Sequence, residues 1–515
     1  MGAIEDQFRK EIETVVDNIL DDYKPEHIRE NKVIRDAIYN FGLFYKHELN
    51  IIDSPLLQRL RGIFQTALAL YTYPSSCHSR FEHSLGCVVF AERMLTSLSK
   101  RDVPIDTIHY HEVRLAALLH DCGHGPFSHA SEEIYWASPE IAELFWQLKN
   151  ENKFLFGDAK LHEILGYFII TSKRFEKFFK QDVVPLYTSK ELGFELSNLN
   201  LEHIGLFVLG KHPADLPAMK YLAQIINGPF DVDKIDYIIR DGYFSGLQLK
   251  IDIETLFLAL GTTILPGTLE KVLCVDLSGA IALEQLLFCK TLLISSLYHH
   301  QKVRASICGL LSLYEQLIIE SKTINGFELK SPFDFLKLDD YDIFSIRDIK
   351  FIKDIKNRIL LKRVAVINYN SLDGDDSKIN FRKLQENIED SEKSKYAKSK
   401  IIREELANLS HCNISDVFID FPEQPTFGST GQESMIRISE ETYVPLDNIH
   451  PSRGWVSAYA EYRYNVFVFC KSQNINEICK ITKEYFDKKG IKLNKRAFEF
   501  AKKDKDLIRS LYPIV

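Results

Sequence analysis

Hydrophobic positions along most of the chain recur at three- and four-residue spacing, the pattern of helices with one buried face. Ser54 followed by Pro55 predicts a helix start, because Ser caps helix N-termini and Pro fits the first turn. A second helix is predicted over residues 81–99, after a Pro- and Ser-rich break. A third ends in a Gly-Pro segment, so that the pair His120 and Asp121 falls on its last turn.

The stretch DVDKIDYIIRD predicts a further helix with polar chemistry on one face. Asp233, Tyr237 and Asp241 recur at i, i+4 and i+8, and Lys234 adjoins this stripe. All four side chains can therefore face one cavity, while isoleucines take the opposite side as core. Asp231 is expected to cap the start of this helix.

Past about residue 340 the pattern changes to β-branched and aromatic runs, RVAVIN, DVFIDFP and YNVFVFC, which predict strands, followed by a helix closed by Gly490. The charged segment 372–400 is expected to be a helical hairpin or a mobile insertion. The predicted fold class is mostly α. It consists of an all-helical core in residues 1–340 and an α+β lobe in residues 341–515, for which a regulatory or oligomerisation role is expected.

Composition and charge narrow the class of protein. The 515 residues are 45% hydrophobic, 12% aromatic and 26% charged, values of an ordinary globular chain. The net charge of -8 excludes a uniformly basic nucleic-acid-binding surface but allows a local basic pocket for a triphosphate. No run approaches the roughly 18–20 uninterrupted apolar residues of a membrane span, and the N-terminus is too charged for a secretory signal. The nine cysteines lack C-x-x-C spacing, and a cytoplasmic location is expected.

Three islands of the sequence carry candidate chemistry: SRFEHS at 79–84, LLHDCGHGPFSH at 118–129 and DVDKIDY at 231–237. Together they supply two imidazoles and two carboxylates. This mixed nitrogen and oxygen set suits a divalent cation that stays open to water or to a phosphate oxygen. Such an ion acidifies its bound water and withdraws charge from phosphorus. The sequence therefore indicates a metal-dependent phosphohydrolase.

The order of these residues resembles the HD-domain superfamily, whose pattern is a His, then a His-Asp pair, then a distant Asp. On that resemblance the metal ligands are His83, His120, Asp121 and Asp233. The words QRLRGIFQ, SRFEHSLG, HDCGHGPFSH and VDKIDYIIRD resemble more narrowly the deoxynucleoside triphosphate triphosphohydrolases, the branch that contains bacterial dGTPases, over about residues 1–310.

The resemblance implies hydrolysis of dNTPs to deoxynucleoside and inorganic triphosphate, with one divalent metal per site. Imidazole ligands favour Mn²⁺, Fe²⁺ or Zn²⁺, and Mg²⁺ suffices where substrate phosphates complete the shell.

The resemblance also implies roles for neighbouring side chains. It places His124, His129 and His162 in the catalytic pocket. His129 is expected to position the attacking water, His124 to act at the leaving side of the α-phosphate, and His162 to serve as a further acid or base. Glu132 follows His129 by one helical turn and is expected to orient it, at a position where the family more often has Asp.

Substrate contacts are predicted in two groups. Arg80 and Lys234 are expected to clamp phosphates, since guanidinium and ammonium groups bind phosphate oxygens in complementary ways. Lys290 stands near a position where the family commonly has a phosphate-contacting Arg. By resemblance, three residues bind the sugar: Gln65, Tyr237 and Asp241. Tyr298 is expected to pack on the ribose where a 2′-hydroxyl would lie, which selects deoxyribose.

The wall beside the sugar departs from the resembled family. Thr66 and Ala67 stand where the family often has Leu-Gly. The hydroxyl there predicts weaker discrimination against ribose. Elsewhere, His109 and His111 are interpreted as surface or capping groups, and His203 shows no partner pattern.

Two alternative functions stay open. One is another HD phosphohydrolase, a nucleotidase or phosphodiesterase, and the other is a nucleotide-sensing or nucleic-acid-binding regulatory protein. The resemblance implies a homo-oligomer, dimer to tetramer or larger, with a dNTP or another nucleotide as activator; the basic run RILLKR at 358–363 is a candidate contact for an effector phosphate. Single-stranded nucleic acid is a further candidate effector. Nucleotide-pool control and anti-phage defence both fit the chemistry.

Overall fold

The structure, a computed structural model, describes residues 2–25, 29–320, 323–324, 327–329, 331–346, 349–388, 392–423, 434–440, 442–450, 454, 458–459 and 462–499. Helices account for 63% and strands for 11% of these described residues. The predicted fold class, mostly α with a mixed sheet region, is confirmed.

The α-helices before residue 250 are Ala3–Ile19 (α1), Lys46–Ile52 (α2), Pro55–Gln58 (α3), Arg80–Ser99 (α4), Thr107–Leu119 (α5), Glu133–Ala137 (α6), Pro139–Glu151 (α7), Lys153–Phe156 (α8), Leu161–Ile170 (α9), Lys173–Lys177 (α10), Ser189–Leu192 (α11), Leu201–Val208 (α12), Lys220–Ile226 (α13) and Val232–Ser245 (α14). The later described α-helices are Ile253–Leu258 (α15), Ala280–Leu293 (α16), Gln301–Glu320 (α17), Asp340–Ser345 (α18), Lys350–Lys356 (α19), Gly374–Ile388 (α20), Glu392–Leu409 (α21) and Ile475–Lys488 (α22).

The described strands are Lys32–Asp36 (β1), Asn40–Phe44 (β2), Leu260–Ile264 (β3), Lys271–Asp276 (β4), Thr323–Ile324 (β5), Phe327–Glu328 (β6), Lys362–Ile367 (β7), Val417–Asp420 (β8), Met435–Arg437 (β9), Tyr443–Pro445 (β10) and Val466–Cys470 (β11). Strand β1 pairs with β2 and β5 with β6, both antiparallel. A four-stranded sheet has the order β10-β9-β4-β3, with β4 and β9 parallel. A three-stranded antiparallel sheet has the order β7-β11-β8.

Helices α4 and α14, which carry two of the predicted metal ligands, His83 and Asp233, begin at defined caps. Glu82 in the first turn of α4 accepts the backbone N–H of Ser79 at 2.7 Å. Asp231 accepts the N–H of Lys234 at 2.7 Å, which confirms the predicted cap of α14. Helix α14 ends at Gly246, whose φ of +76° needs a residue without a Cβ. Local sequence thus fixes where both helices start.

Two helix ends differ from the prediction. The apolar helix expected after Ser54 is only the four residues of α3, because the chain turns into short 3₁₀ segments at Arg59–Gly62 and Ala67–Tyr71. Helix α5 ends at Leu119, so the His-Asp pair lies just beyond its last turn rather than on it.

The strand and helix signals of the C-terminal third are confirmed. RVAVIN, DVFIDFP and YNVFVFC form β7, β8 and β11 of one sheet, and α22 is followed by Gly490. The charged segment 372–400 forms α20 and the start of α21, the helical hairpin of the two alternatives.

Hydrophobic packing divides the described residues into one large core and two smaller clusters. The large core runs from Phe8 to Leu360 and also contains Ile436 and Leu446. The main core of the C-terminal lobe begins at Val364. The predicted boundary between residues 340 and 341 stays a prediction, since apolar residues on both sides of it pack into the large core.

One stretch of the described residues, Leu277–Tyr298, is long and apolar enough to cross a membrane by length and composition alone. Half of its most apolar window is buried inside the fold, as in the core helix of a soluble protein. This is weak support for a membrane span.

Candidate metal centre and nucleotide pocket

The three sequence islands converge on one point. His83 Nε2 lies 3.1 Å from Asp233 Oδ1 and 3.3 Å from His120 Nε2. Asp121 places Oδ2 3.6 Å from His83 Nε2 and Oδ1 3.4 Å from His120 Nε2. Neighbouring ligand atoms around an ion at about 2.1 Å stand roughly 3.0–3.4 Å apart. Three of the separations fall in this range, and the His83–Asp121 and His120–Asp233 separations exceed it by a few tenths of an ångström at 3.6 Å and 3.9 Å, so the four predicted ligands surround one point where a cation can bind.

Buried partners orient the His83 ring. Its Nδ1 lies 2.7 Å from Asp236 Oδ2, and Asp236 in turn accepts Arg240 Nε at 2.7 Å. Arg240 also donates to Asp36 at 2.9 Å. A Cβ added at Gly86 would lie 1.9 Å from Asp236 Oδ1, so the glycine of SRFEHSLG makes room for this carboxylate. Carboxylate–histidine pairs of this kind leave Nε2 free to bind a metal.

The second imidazole is oriented by the backbone. His120 Nδ1 lies 2.8 Å from the carbonyl oxygen of Ala117, which can only accept, so Nδ1 carries the proton and Nε2 offers its lone pair. Burial raises the pKa of Asp121, but Arg80, His120 and His124 outweigh it and hold this pKa well below its usual value. Two imidazoles and two charged carboxylates fit a divalent cation of the Mn²⁺, Fe²⁺, Zn²⁺ or Mg²⁺ type.

Arg59 and Gly123 set the position of the loop that follows the His-Asp pair. Arg59, from the word QRLR, donates to the carbonyl oxygens of His124 at 2.8 Å and Cys122 at 2.5 Å. A Cβ at Gly123 would lie 2.1 Å from the carbonyl oxygen of His162, so this glycine lets α9 approach the loop. The buried Cys122 packs in the large core.

Three histidines gather around Glu132 beside the metal ligands. Glu132 Oε1 lies 2.8 Å from both His129 Nδ1 and His162 Nδ1, and 4.0 Å from His124 Nδ1. The rings of His124 and His162 stack at 4.0 Å. His124 Nε2 lies 3.3 Å from Asp121 Oδ1, which joins this cluster to the metal centre. The structure thus brings the four predicted catalytic residues together, with Glu132 in contact with His129.

The cluster holds its histidines in different protonation states. Burial lowers the pKa of His162, but the Glu132 carboxylate more than offsets this and raises it above its ordinary value. Burial, Arg80 and His162 hold the pKa of His124 well below its ordinary value. Burial also raises the pKa of Glu132, yet His162 and His129 outweigh it and keep Glu132 charged. One imidazole is therefore set up as an acid and another as a neutral base. His129 differs from both in being 58% exposed.

The predicted sugar-binding residues lie together at one end of the site. Asp241 accepts Tyr298 OH at 2.5 Å and lies 2.7 Å from His78 Nε2. Gln65 is buried, and its Oε1 finds no hydrogen-bond partner within the described part of the chain. A buried amide oxygen without a donor is costly, and a sugar hydroxyl would satisfy it. Tyr237 lies one turn before Asp241 on α14.

His78 was missed by the sequence reasoning. Its ring stacks on Phe244 at 4.6 Å, and its Nδ1 is buried without a hydrogen-bond partner among the described residues. The signal was a His immediately before the SRFEH word, inside a stretch that indicated only a loop.

The wall that departs from the resembled family is well ordered. Thr66 Oγ1 lies 3.0 Å from Ser76 Oγ, so the hydroxyl is engaged by a neighbouring side chain. Ala67 has a φ of +51°, in the left-handed region that favours glycine. Because the Thr66 hydroxyl already has a hydrogen-bonding partner, the structure gives less reason to expect weaker discrimination against ribose.

The predicted phosphate clamps are paired with protein groups. Arg80 donates to Asp121 Oδ2 at 2.8 Å and to Ser128 Oγ at 2.9 Å. Lys234 Nζ contacts Asp231 and donates to the carbonyl oxygen of Gly228 at 2.9 Å. Burial, together with Lys234 and Lys160, lowers the pKa of Lys290 to about 8. A phosphate chain entering this site would have to compete for Arg80 and Lys234.

A carboxyl group at the predicted boundary holds two loops of the site. Asp340 is fully buried and accepts the backbone N–H groups of Phe64 at 2.9 Å and Phe127 at 2.5 Å. Phe127 and Ser128 both have positive φ, 62° and 57°, a conformation that needs such support. The signal in the sequence was a lone DD pair without a local partner.

Other histidines also gain partners. His109 and His203 both contact Glu112, at 3.0 Å and 3.2 Å. His111 is buried rather than a surface group, 5.0 Å from the His47 ring. The interpretation of His109 and His111 as surface or capping groups is therefore wrong for His111, and His203 does have a partner.

Comparison with known proteins supports the site assignment at the level of the family. Residues 80–241 match the HD domain and residues 266–496 match the HD associated region. A protein of Methanocaldococcus jannaschii is 26% identical over 456 residues, which is 87% of this chain and 81% of that protein. The deoxynucleoside triphosphate triphosphohydrolase SAMHD1 of Bos taurus is 29% identical over 234 residues, 43% of this chain and 37% of the bovine protein. Its Dictyostelium discoideum homolog is 25% identical over 354 residues, 66% of this chain and 61% of that protein.

A solved structure shares the fold. A hypothetical protein from Aquifex aeolicus superimposes with a TM-score of 0.60 at 23% identity, covering 88% of this chain and 100% of that chain. The chain is an HD-domain protein of the metal-dependent phosphohydrolase superfamily, in which an HD-associated region follows the HD domain. Within that class, its resemblance to the deoxynucleoside triphosphate triphosphohydrolases, drawn first from the motifs, is confirmed by the SAMHD1 matches.

Proposed function

We propose that this protein hydrolyses dNTPs to deoxynucleoside and inorganic triphosphate. The observation that carries the proposal is the contact of His124 with Asp121, which joins an acid–base cluster to four convergent metal ligands. A divalent ion at those ligands, when bound, polarises the phosphoryl group and acidifies water. Proton transfer and a cation in one pocket are the two requirements of hydrolysis at phosphorus.

The acid and base are assigned from the electrostatics of the cluster. The resemblance implied a role for His124 at the leaving side of the α-phosphate, but its lowered pKa suits it instead to take the proton of the attacking water. Protonated His162, held by Glu132, is suited to deliver one to the leaving oxygen. His129, bonded to the same Glu132 oxygen and more exposed, positions the attacking water. Glu132 acts through these rings by orienting them and supplying charge.

Substrate selection is assigned to the two ends of the pocket. Arg80, Lys234 and Lys290 supply the positive charge for a triphosphate. At the other end Asp241 and Gln65 accept from the sugar, and Tyr237 lines the approach. Tyr298, fixed by its hydrogen bond to Asp241, occupies the space of a 2′-hydroxyl and excludes ribose.

A second candidate, an HD nucleotidase acting on a monophosphate, is favoured by one observation. Arg80 and Lys234 are both already paired with carboxylates, at Asp121 and Asp231. A short phosphate group would need fewer of these cations.

The proposal extends to assembly and cellular role. The chain forms a homo-oligomer in the cytoplasm, a dNTP or another nucleotide activates it, and its activity serves nucleotide-pool control or defence against phage. The support is the resemblance to the triphosphohydrolases and the SAMHD1 matches.

A product analysis tests the proposal. Purified protein is incubated with each dNTP and NTP, singly and in pairs, with Mn²⁺ or Mg²⁺, and the products are separated by chromatography. Intact inorganic triphosphate is expected from dNTPs. Orthophosphate released from monophosphates would favour the second candidate, and no turnover under any combination would overturn both.

The Asp233→Ala variant checks the metal assignment. It removes one carboxylate ligand, so turnover is expected to fall below detection while the circular dichroism spectrum stays unchanged. The exposed Asp215 provides a matched control, because Asp215→Ala removes a carboxylate away from the site. Turnover retained by Asp233→Ala would show that the ligand assignment is wrong.

A further inference from the structure

A second cluster of metal-ligand type lies on α5 and α12, away from the HD ligands. His109 Nδ1 lies 3.0 Å from Glu112 Oε2, and His203 Nδ1 lies 3.2 Å from the same oxygen. His109 and Glu112 are one turn apart on α5, and His203 comes from α12. Two imidazoles and a carboxylate from two helices thus meet at one point.

The separations in this cluster match those of the HD centre. The HD ligand atoms stand 3.1 Å, 3.3 Å and 3.4 Å apart at their closest, and the two measured here are 3.0 Å and 3.2 Å. Tetrahedral ligands about 2.1 Å from Zn²⁺ stand roughly 3.4 Å apart. The three ligand atoms all lie within 4.8 Å of one another, so rotation of the two partly exposed imidazoles can bring them to the separations that a cation requires.

The carboxylate is fixed before any ion arrives. Glu112 is 1% exposed, and its second oxygen accepts the backbone N–H of Asn200 at 2.8 Å. Asn200 is the N-cap of α12, the helix that carries His203. Held by that bond, the carboxylate is oriented without using the oxygen that faces the two imidazoles.

The imidazoles give the cluster access to solvent. The side chains of His109 and His203 are 31% and 17% exposed. An ion can enter from this side, and water can complete its shell. A His₂Glu set with an open position is one of the ligand sets that proteins use for Zn²⁺.

We propose that His109, Glu112 and His203 bind a divalent transition-metal cation of the Zn²⁺ type, separate from the HD ion. The ion fastens the start of α5 to α12. This inference does not depend on the proposed activity. The rival explanation is that the three side chains form a hydrogen-bonded clasp without a metal.

Metal stoichiometry tests the proposal directly. The full chain is stripped with a chelator, titrated with Zn²⁺, freed of excess ion by gel filtration and analysed by mass spectrometry for metal per chain. We expect His203→Ala and Asp233→Ala each to hold one equivalent less than the wild type, and the double variant two fewer. His212→Ala is the matched control, because His212 faces a single carboxylate, Glu270, at 3.6 Å, and it should bind as the wild type does.

Cobalt spectroscopy and thermal unfolding supply readouts besides stoichiometry. In the Asp233→Ala background, Co²⁺ is expected to give visible absorption that disappears with His203→Ala. Zn²⁺ is expected to raise Tm in Asp233→Ala but not in Asp233→Ala/His203→Ala. Equal metal content in wild type and His203→Ala, or a lower Tm in His203→Ala that is the same with and without Zn²⁺, would establish the metal-free clasp and overturn the proposal.

Discussion

Glu132 governs three histidines through one oxygen atom. Oε1 lies 2.8 Å from His129 and from His162, and its charge is what raises the pKa of His162. A family that more often has Asp at this position reaches the same ring with a shorter side chain. The additional methylene of Glu lets a single carboxylate span rings on two different elements.

Replacing Glu132 by Gln is expected to change both rate and pH dependence. A step that needs protonated His162 becomes slower as the pH rises through the pKa of His162. Without the carboxylate that pKa falls, so the alkaline limb of the kcat profile moves to lower pH, and kcat at neutral pH falls about 10²-fold. The measurement is steady-state kinetics from pH 5 to 9. The exposed Glu140→Gln is the control, and an unshifted limb in Glu132→Gln would remove His162 from its role.

At the scale of single residues, the sequence predicted the site residues that belong to an ordered motif. It missed those that reach the site only because the fold brings distant parts of the chain together. His83, His120, Asp121 and Asp233 were found because their order and flanking words are recognisable. Asp236 was not among the predicted site residues, although its Oδ2 lies 2.7 Å from His83 Nδ1. Its role depends on which face of α14 meets α4, which no local pattern contains.

Helix ends decide where the reactive groups of this protein lie. The stripe of α14 was predicted correctly because i, i+4 spacing is a property of any helix. The end of α5 was placed one turn too late, because the Gly-Pro signal follows a short turn that the helix does not include. Helix α18 holds the 64–65 and 127–128 segments in place. This could not be predicted, because the two hydrogen bonds join positions more than 200 residues apart in the chain.

Asp340 at the start of α18 supports both of these segments, and its removal is expected to affect stability and substrate binding together. Asp340→Ala leaves two buried N–H groups without acceptors. Each such group costs about 1–3 kcal/mol, so the free energy of unfolding is expected to fall by about 3 kcal/mol. KM is expected to rise, because the N–H of Phe64 loses its acceptor and the next residue, Gln65, is a predicted sugar contact. Urea unfolding and steady-state kinetics measure the two effects. Asp354→Ala on α19 is the control, and wild-type stability in Asp340→Ala would contradict the role assigned to its two hydrogen bonds.

On the scale of the whole molecule, residues from late in the chain pack into the large core, although most of the intervening chain forms the core of the C-terminal lobe. Strand β9 lies parallel to β4, and Arg437 on β9 donates to Asp276 on β4 at 2.5 Å. Composition correctly indicated two regions of different secondary structure. The return of β9 could not be predicted, because a three-residue strand carries no periodicity and its partner β4 is about 160 residues away in the chain. Strand β10 follows by pairing with β9.

A fragment of residues 1–340 is expected not to fold as an independent unit. It would lack Ile343, Ile352 and Leu360 from the large core, and also Ile436 and Leu446. Exposed apolar surface and an unpaired edge on β4 favour aggregation. Gel filtration and thermal unfolding, with the full chain as reference, measure this. A monomeric fragment with a cooperative transition would show that the boundary predicted at 340/341 separates autonomous units.

The Arg80–Asp121 bond has a consequence for how the protein responds to its surroundings. While Arg80 draws on the Asp121 carboxylate, that oxygen is a poorer donor to a cation, and a phosphate that attracts Arg80 releases it. On the proposed function, a nucleotide and a metal at this site strengthen each other's binding by the same factor, because linkage is reciprocal. Where metal is scarce, such a protein keeps its metal only while nucleotide is abundant, and it loses activity as the nucleotide concentration falls.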